Sequence, residues 1–331
     1  MSADRKLPYS LAINEALHQM MAADSSVFLI GQGVKSPWYV GNTAQGLLEK
    51  FGDTRVIDTP VSENAITGAA VGAALAGMRP VVVHPRMDFM LYAFDPIINE
   101  AANWHYMNGA KSCAPVVIWG IINRGGEQAA QHSQALHALF AHIPGLKVVM
   151  PATPFDAKGL MISAIKDDNP VIYIDDRWLY KTEEHVPEEP YTVPIGKGII
   201  RKTGKDITIV SVSYMAIEAV KAAEALKDKG IDVEVIDVRT VKPLDYDLIF
   251  KSVRKTGRLV TADVGWKSFG FAAEIAAFVC EKAFKYLKAP IVRITLPDVP
   301  APASSVLENI YYPNSDDIIK AIEEVIQCPT K

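Results

Sequence analysis

Short apolar runs alternate along the chain with longer stretches in which apolar positions recur every three to four residues. The runs Val27–Ile30, Arg55–Ile57, Pro80–Val83, Pro115–Trp119, Lys147–Val149 and Val171–Ile174 predict strands. Ile207–Val212, Asp232–Val238, Arg258–Thr261 and Ile291–Ile294 predict four more. Several are apolar without alternation, as strands covered on both faces should be. Between them, Leu11–Ala22, Glu63–Ala76, Ile97–Met107, Gln134–Ala141, Phe155–Ile165, Ala216–Asp228, Ala272–Tyr286 and Asp316–Ile326 predict helices. Ser10, Thr153-Pro154 and Ser315 read as helix start signals. Alternation repeated this often implies an α/β fold with parallel sheets flanked by helices. Six predicted strands precede Lys181–Thr203, a charged stretch with three prolines and little periodicity, and four follow it. The expected organisation is a larger domain over 1–185, a linker over 186–203 and a smaller domain over 204–331.

Composition narrows the classes without naming one. At 331 residues the chain fits two domains, and 49% hydrophobic with 22% charged residues is ordinary for a globular protein. A net charge of -4 with no long basic run argues against nucleic-acid or anionic-membrane partners. Cys113, Cys280 and Cys328 are far apart and show no metal-ligand spacing, so a reduced, cytoplasmic setting is expected. Met1–Leu7 has no apolar stretch after its charges, and no secretory signal is expected. The small-residue run Ala69–Gly77 is too short to span a bilayer.

Two polar residues stand where parallel α/β sheets bind ligands, beyond the carboxyl ends of strands. Glu63 follows the strand ending near Ile57 and opens the Gly/Ala-rich helix. It reads either as a first-turn carboxylate stabilised by the helix dipole or as an acid–base group. His132 follows the glycine-opened loop after the strand at Pro115–Trp119, before a predicted helix. It reads either as a structural histidine or as a second acid–base group. Phe89 reads as core, and Ala164–Pro170 as a helix end and turn. The Gly/Ala-rich helix has no phosphate-loop spacing, and its small residues suit close packing on a sheet or a partner helix.

Taken together, RVIDTPVSENAITGAAVGAALAGMRPV, FDPIINEAA, AAQHSQALHALFAHIPGLKVVMPATPFDAKGLMISAIKDDNPVIY, EVIDVRTVKPLD and KTGRLVTADVGWKSFGFAAEI span nearly the whole chain. In that order they resemble the β subunits of thiamine-diphosphate-dependent 2-oxo acid dehydrogenase E1 components, of pyruvate and branched-chain type, within the transketolase-like superfamily. The resemblance implies a transketolase-like pyrimidine-binding domain followed by a transketolase C-terminal-like domain that serves assembly. It implies that Glu63 contacts N1′ of the cofactor's aminopyrimidine and favours the imino form that activates the cofactor. Burial would raise the pKa of Glu63 so that it holds a proton. Phe89 would pack on the aminopyrimidine, and His132 would stand near the reacting carbon. Val116, Ala164, Ile165, Asp167 and Asn169 would form a structural monovalent-cation site suited to K⁺, against the plain turn as the alternative.

The Mg²⁺-binding Gly-Asp-Gly…Asn segment of the superfamily has no match here beyond Gly52-Asp53-Thr54. The resemblance therefore implies an α subunit that holds Mg²⁺ and diphosphate, in an α₂β₂ heterotetramer inactive without α. A lipoyl acyltransferase core is a further implied partner, and a 2-oxo acid the substrate.

Departures from the family pattern cluster near the expected pocket. Gln32 and Val83 stand where acids are usual, and His84, Pro85 and Arg86 where apolar or aromatic residues are usual. Trp119 replaces an arginine, for which Arg124 is close enough in sequence to substitute, while Asp95 is kept. The more positive pocket suits a larger or more anionic substrate, with compensated drift as the alternative. Beside oxidative decarboxylation with acyl transfer to lipoyl, a split transketolase-like or carboligase activity stays open. A non-catalytic assembly subunit would not require Glu63, Phe89 and His132 together.

Overall fold

A computed structural model describes residues 5–36 and 38–328. The chain divides into two compact units, Met1–Arg124 with Gln131–Ile195, and Gly125–Ala130 with Gly196–Lys331.

The first unit contains β1 (Lys6–Pro8), α1 (Tyr9–Ala23), β2 (Val27–Gly31), α2 (Leu47–Phe51), β3 (Val56–Asp58), α3 (Glu63–Leu75) and β4 (Arg79–His84). A 3₁₀ segment Met87–Ala93 and a π-helical segment Asp95–Ala102 lead into α4 (Asn103–Met107). Then come β5 (Val117–Ile122), α5 (His137–His142), β6 (Lys147–Val149), α6 (Pro154–Lys166), β7 (Val171–Asp176) and β8 (Glu183–His185). The unit's strands run in the order β6-β7-β5-β4-β2-β3, all parallel. Strands β2, β4, β5 and β7 are buried almost throughout, which explains their unbroken apolar sequence.

The second unit contains β9 (Ile199–Lys202), β10 (Ile207–Ser211), α7 (Tyr214–Lys227), β11 (Val233–Asp237), β12 (Thr240–Lys242) and α8 (Tyr246–Thr256). It continues with β13 (Leu259–Trp266), α9 (Phe271–Ala283), β14 (Val292–Leu296), α10 (Ser305–Tyr311) and α11 (Ser315–Gln327). Its sheet has the order β14-β13-β10-β11-β9, with only β9 antiparallel to its neighbour. No helix among the described residues is long and apolar enough to cross a membrane.

All ten predicted strands are present, but four short ones escaped the pattern. Two of them fall in the charged stretch Lys181–Thr203, one on either side of the expected boundary at 185/186. Glu183–His185 pairs antiparallel with Lys6–Pro8, and Ile199–Lys202 forms the edge of the second sheet. Between these strands the chain is held on α6. The buried Lys158 ammonium donates to the carbonyls of Pro187, Glu188 and Glu189 at 2.6, 2.9 and 3.2 Å and pairs with Glu15 at 2.5 Å. Ser163 donates to Val193 O at 2.6 Å, and Phe155 stacks on Tyr191 at 4.5 Å.

Helix starts also shift. Thr153 caps α6 by accepting from Asp156 N, as its position suggests. Ser10 instead lies inside α1, and Asn314 rather than Ser315 caps α11, in a capping box with Asp317. The predicted helix Gln134–Ala141 begins only at His137, so His132 lies in a turn five residues upstream of it.

Candidate active site

Connections leave β2 and β4 in opposite directions, toward β3 and β5, although the two strands are neighbours. Such a switch point opens a crevice at the strands' carboxyl ends. A cavity of about 370 Å³ lies there. Gln32 and Tyr39 line it from the loop after β2, Val61, Ser62, Glu63 and Ile66 from the start of α3, and Val83 to Arg86, Phe89 and Tyr92 from the end of β4 onward.

Local sequence explains how each group arrives. Thr59-Pro60 ends β3, Ser62 takes an extended φ of -166°, and Glu63 becomes the first residue of α3. Its carboxylate there is favoured by the helix dipole. Glu63 is half-buried within this chain. The face of α3 bearing Ile66, Thr67, Ala70, Val71 and Ala74 is buried, whereas Ala65, Gly68, Ala69 and Gly72 are exposed. A Cβ added at Gly68 or Gly72 would meet nothing within 4 Å.

Strand β4 ends at His84, and Pro85 stops the ladder. His84 is buried, its Nε2 lies 3.1 Å from Thr67 Oγ1, and its Nδ1 has no partner among the described residues. Burial pushes its pKa down to about 4, so the ring is neutral near pH 7. The 3₁₀ segment then brings Asp88 inward and Phe89 to the cavity. Asp88 accepts from Gln134 N and Nε2 at 3.1 and 2.8 Å, while burial raises its pKa. Phe89 meets the ring of His132 edge-on at 5.4 Å between centroids.

Glu63 and Phe89 thus line one cavity, and His132 touches it through Phe89. The other sequence candidates lie elsewhere in the unit. Ala164, Ile165, Asp167 and Asn169 form the end of α6 and its turn, and Val116 O accepts from Val171 N at 3.0 Å. Cationic side chains already serve this turn. Arg79 donates to Ile165 O and Asp167 O at 3.0 and 3.1 Å, and Lys147 pairs with Asp167 at 2.5 Å. Its oxygens are the right kind for a hard monovalent ion, which would have to share them with Arg79 and Lys147.

Among the residues that depart from the family pattern, Gln32, Val83, His84 and Arg86 line the cavity. Trp119 does not. It is fully buried and edge-on to Tyr173 at 6.2 Å. Arg124 does not replace the lost arginine in the cavity. It is buried, pairs with Asp176 at 2.6 Å and lies 4.3 Å over Trp178. Asp95 is exposed and accepts from Asn99 at 2.7 Å.

Tyr39 and Arg177 belong to this region and were not singled out from sequence. Gly33, at φ +73°, lets the Tyr39 ring lie where a Cβ would come within 2.1 Å. Gln32 donates to Tyr39 Oη at 3.0 Å, and Arg177 donates to Tyr39 O at 2.6 Å. The only sequence signals were a glycine and an aromatic after β2 and a basic residue just past β7. Among the described residues, no group of three or more His, Cys, Asp or Glu is placed to hold a metal ion.

Two family models match the chain, the transketolase pyrimidine-binding domain over residues 5–182 and the transketolase C-terminal domain over 196–318. The β subunit of acetoin:2,6-dichlorophenolindophenol oxidoreductase from Cupriavidus necator is 44% identical, with 98% of each chain covered. Its counterpart from Bacillus subtilis is 41% identical over the same shares. The pyruvate dehydrogenase E1 β subunit of Rickettsia felis is 44% identical over 95% of this chain and 96% of its own. A split-gene transketolase, described as an inactive β4 tetramer, superimposes with a TM-score of 0.79 over 98% of this chain and 99% of its own. At 22% identity that likeness speaks for the fold alone. The chain belongs to the transketolase-like, thiamine-diphosphate-dependent family of E1-type 2-oxo acid dehydrogenase β subunits.

Proposed function

We propose that this chain is the aminopyrimidine-facing half of an E1 active site, completed by an α subunit in an α₂β₂ heterotetramer. The observation that carries this reading is the convergence of Glu63 and Phe89 on one cavity at the switch point, with His132 against Phe89. About 370 Å³ with largely apolar walls, one carboxylate and a neutral imidazole suits a flat heteroaromatic ring.

Thiamine diphosphate, when bound, supplies the carbon nucleophile and the electron sink for decarboxylation. Glu63 holds a proton at N1′ of the aminopyrimidine, its burial completed by cofactor and α subunit. Phe89 packs against that ring and fixes its plane. His84, neutral because it is buried, offers a hydrogen-bonding nitrogen without adding charge to the pocket. His132, braced edge-on by Phe89, stands toward the reacting carbon and moves a proton during acyl transfer to a lipoyl group on an acyltransferase core. Mg²⁺ and the diphosphate belong to the α subunit. The turn at Ala164, Ile165, Asp167 and Asn169, with Val116, is a structural K⁺ site shared with Arg79 and Lys147.

The test is Glu63→Gln in the reconstituted pair. Turnover should fall at least a hundredfold, within the range that a positioned acid–base group contributes, while assembly is retained. Near-normal turnover would remove Glu63 from this role. A second reading, cleavage of an acetoin-like hydroxyketone, is favoured by the acetoin-oxidoreductase relatives, one of which matches at the same 44% identity as the pyruvate dehydrogenase subunit.

A further inference from the structure

The cavity holds a cation that the proposed reaction does not use. Arg86 extends from the end of β4, and among the described residues its guanidinium donates only to Pro85 O, at 2.9 Å. Its buried Nε has no partner among the described residues, and its Cζ lies 6.0 Å from the centre of the Tyr39 ring. Arg177, just past β7, donates to the carbonyl of that same Tyr39 at 2.6 Å, and its buried Nε likewise has no partner among the described residues. Two guanidiniums therefore flank Tyr39, which lines the cavity together with Arg86. Among the described residues neither forms an ion pair with a carboxylate. The nearby acid Asp88 is engaged by Gln134 instead.

This arrangement is unfavourable for the chain alone. Burial, and next the like charge of Arg177, hold the Arg86 pKa below the ordinary arginine value. Arg124, just past the carboxyl end of β5, shows the usual solution, a buried pair with Asp176. A guanidinium with free, partly desolvated donors is a fork for a carboxylate or phosphate, which it binds through two parallel hydrogen bonds.

We propose that Arg86, supported by Arg177 and Tyr39, is a specificity residue that binds a second anionic group on the substrate, remote from the reacting carbonyl. The preferred substrate is then a 2-oxo acid with a distal carboxylate or phosphate, rather than one with an apolar side chain. This rests on the reading of the cavity as the site of 2-oxo acid chemistry.

The experiment uses the chain purified with its α subunit, thiamine diphosphate and Mg²⁺. Rates of CO₂ release are compared for 2-oxoglutarate and 3-phosphohydroxypyruvate against 2-oxopentanoate and pyruvate. At least one substrate with a distal anion should exceed its counterpart without one at least tenfold in kcat/KM, and which one does so identifies the anion as carboxylate or phosphate. Arg86→Ala should lower that ratio by on the order of tenfold or more, the worth of a charge-assisted hydrogen bond, and Arg86→Lys should restore part of it. A wild-type preference for 2-oxopentanoate and pyruvate, or a ratio that Arg86→Ala leaves unmoved, overturns the proposal. A separate readout is the melting temperature of the chain in inorganic phosphate or 2-oxoglutarate, which should rise in the wild type and not in Arg86→Ala. If no 2-oxo acid is turned over but this shift appears, the anion site stands and the 2-oxo acid reading falls. Absence of the shift overturns the anion site itself.

Discussion

Asp175, on β7, offers a quantitative test of how the sheet beneath the cavity is held. Its carboxyl is fully buried and accepts from Tyr180 Oη at 2.7 Å. Burial pushes its pKa from 3.8 up to about 7, against the pull of that hydrogen bond. The folded state thus keeps its proton over a range in which the unfolded chain has released it. The stability this contributes is complete below the unfolded value and is lost as pH rises toward the folded one. Over the span from 3.8 to about 7 the loss is ~4 kcal/mol, at about 1.4 kcal/mol per pH unit. Asp175→Asn substitutes a neutral group that can still accept from Tyr180 and has no proton to lose. Urea unfolding of the purified chain, followed by tryptophan fluorescence from pH 5 to 8, should show the variant gaining on the wild type. The gain should grow by roughly 2–3 kcal/mol between pH 5 and 7 and then level off. Parallel pH profiles for the two proteins would refute the reasoning.

Two further outcomes follow from other contacts of the same unit. Arg124→Leu strands the buried carboxylate of Asp176 and should cost about 3–5 kcal/mol, a fall in melting temperature on the order of 10 °C; a change of a degree or two would mean that the pair is dispensable. Replacing Na⁺ by K⁺ at constant ionic strength should raise the melting temperature by a few degrees if K⁺ shares the oxygens of the Ala164–Asn169 turn; an equal response to both ions would leave that turn to Arg79 and Lys147.

The sequence pattern made the sheets legible because β2, β4, β5 and β7 are covered on both faces and must be apolar throughout. Strands β1 and β8 carry Lys6, Glu183, Glu184 and His185 and pair only with each other, so no apolar run marks them. The placement of Glu63 followed from a strand, a proline and a small-residue helix in succession. That of Tyr39 and Arg177 did not, because each is set by chain returns remote in sequence. Trp119 and Arg124 show the limit of counting along the chain. A residue at the usual position of a pocket arginine turned into the core, and the neighbouring arginine found Asp176 instead of the cavity.

The central claim, that this chain carries one half of a shared site, is tested most directly by calorimetric titration of thiamine diphosphate with Mg²⁺. The titration is made into the chain alone, the α subunit alone and the mixed pair. Saturable, tight binding should appear only with the pair, together with CO₂ release from a 2-oxo acid. Tight binding and turnover by this chain alone would contradict the account.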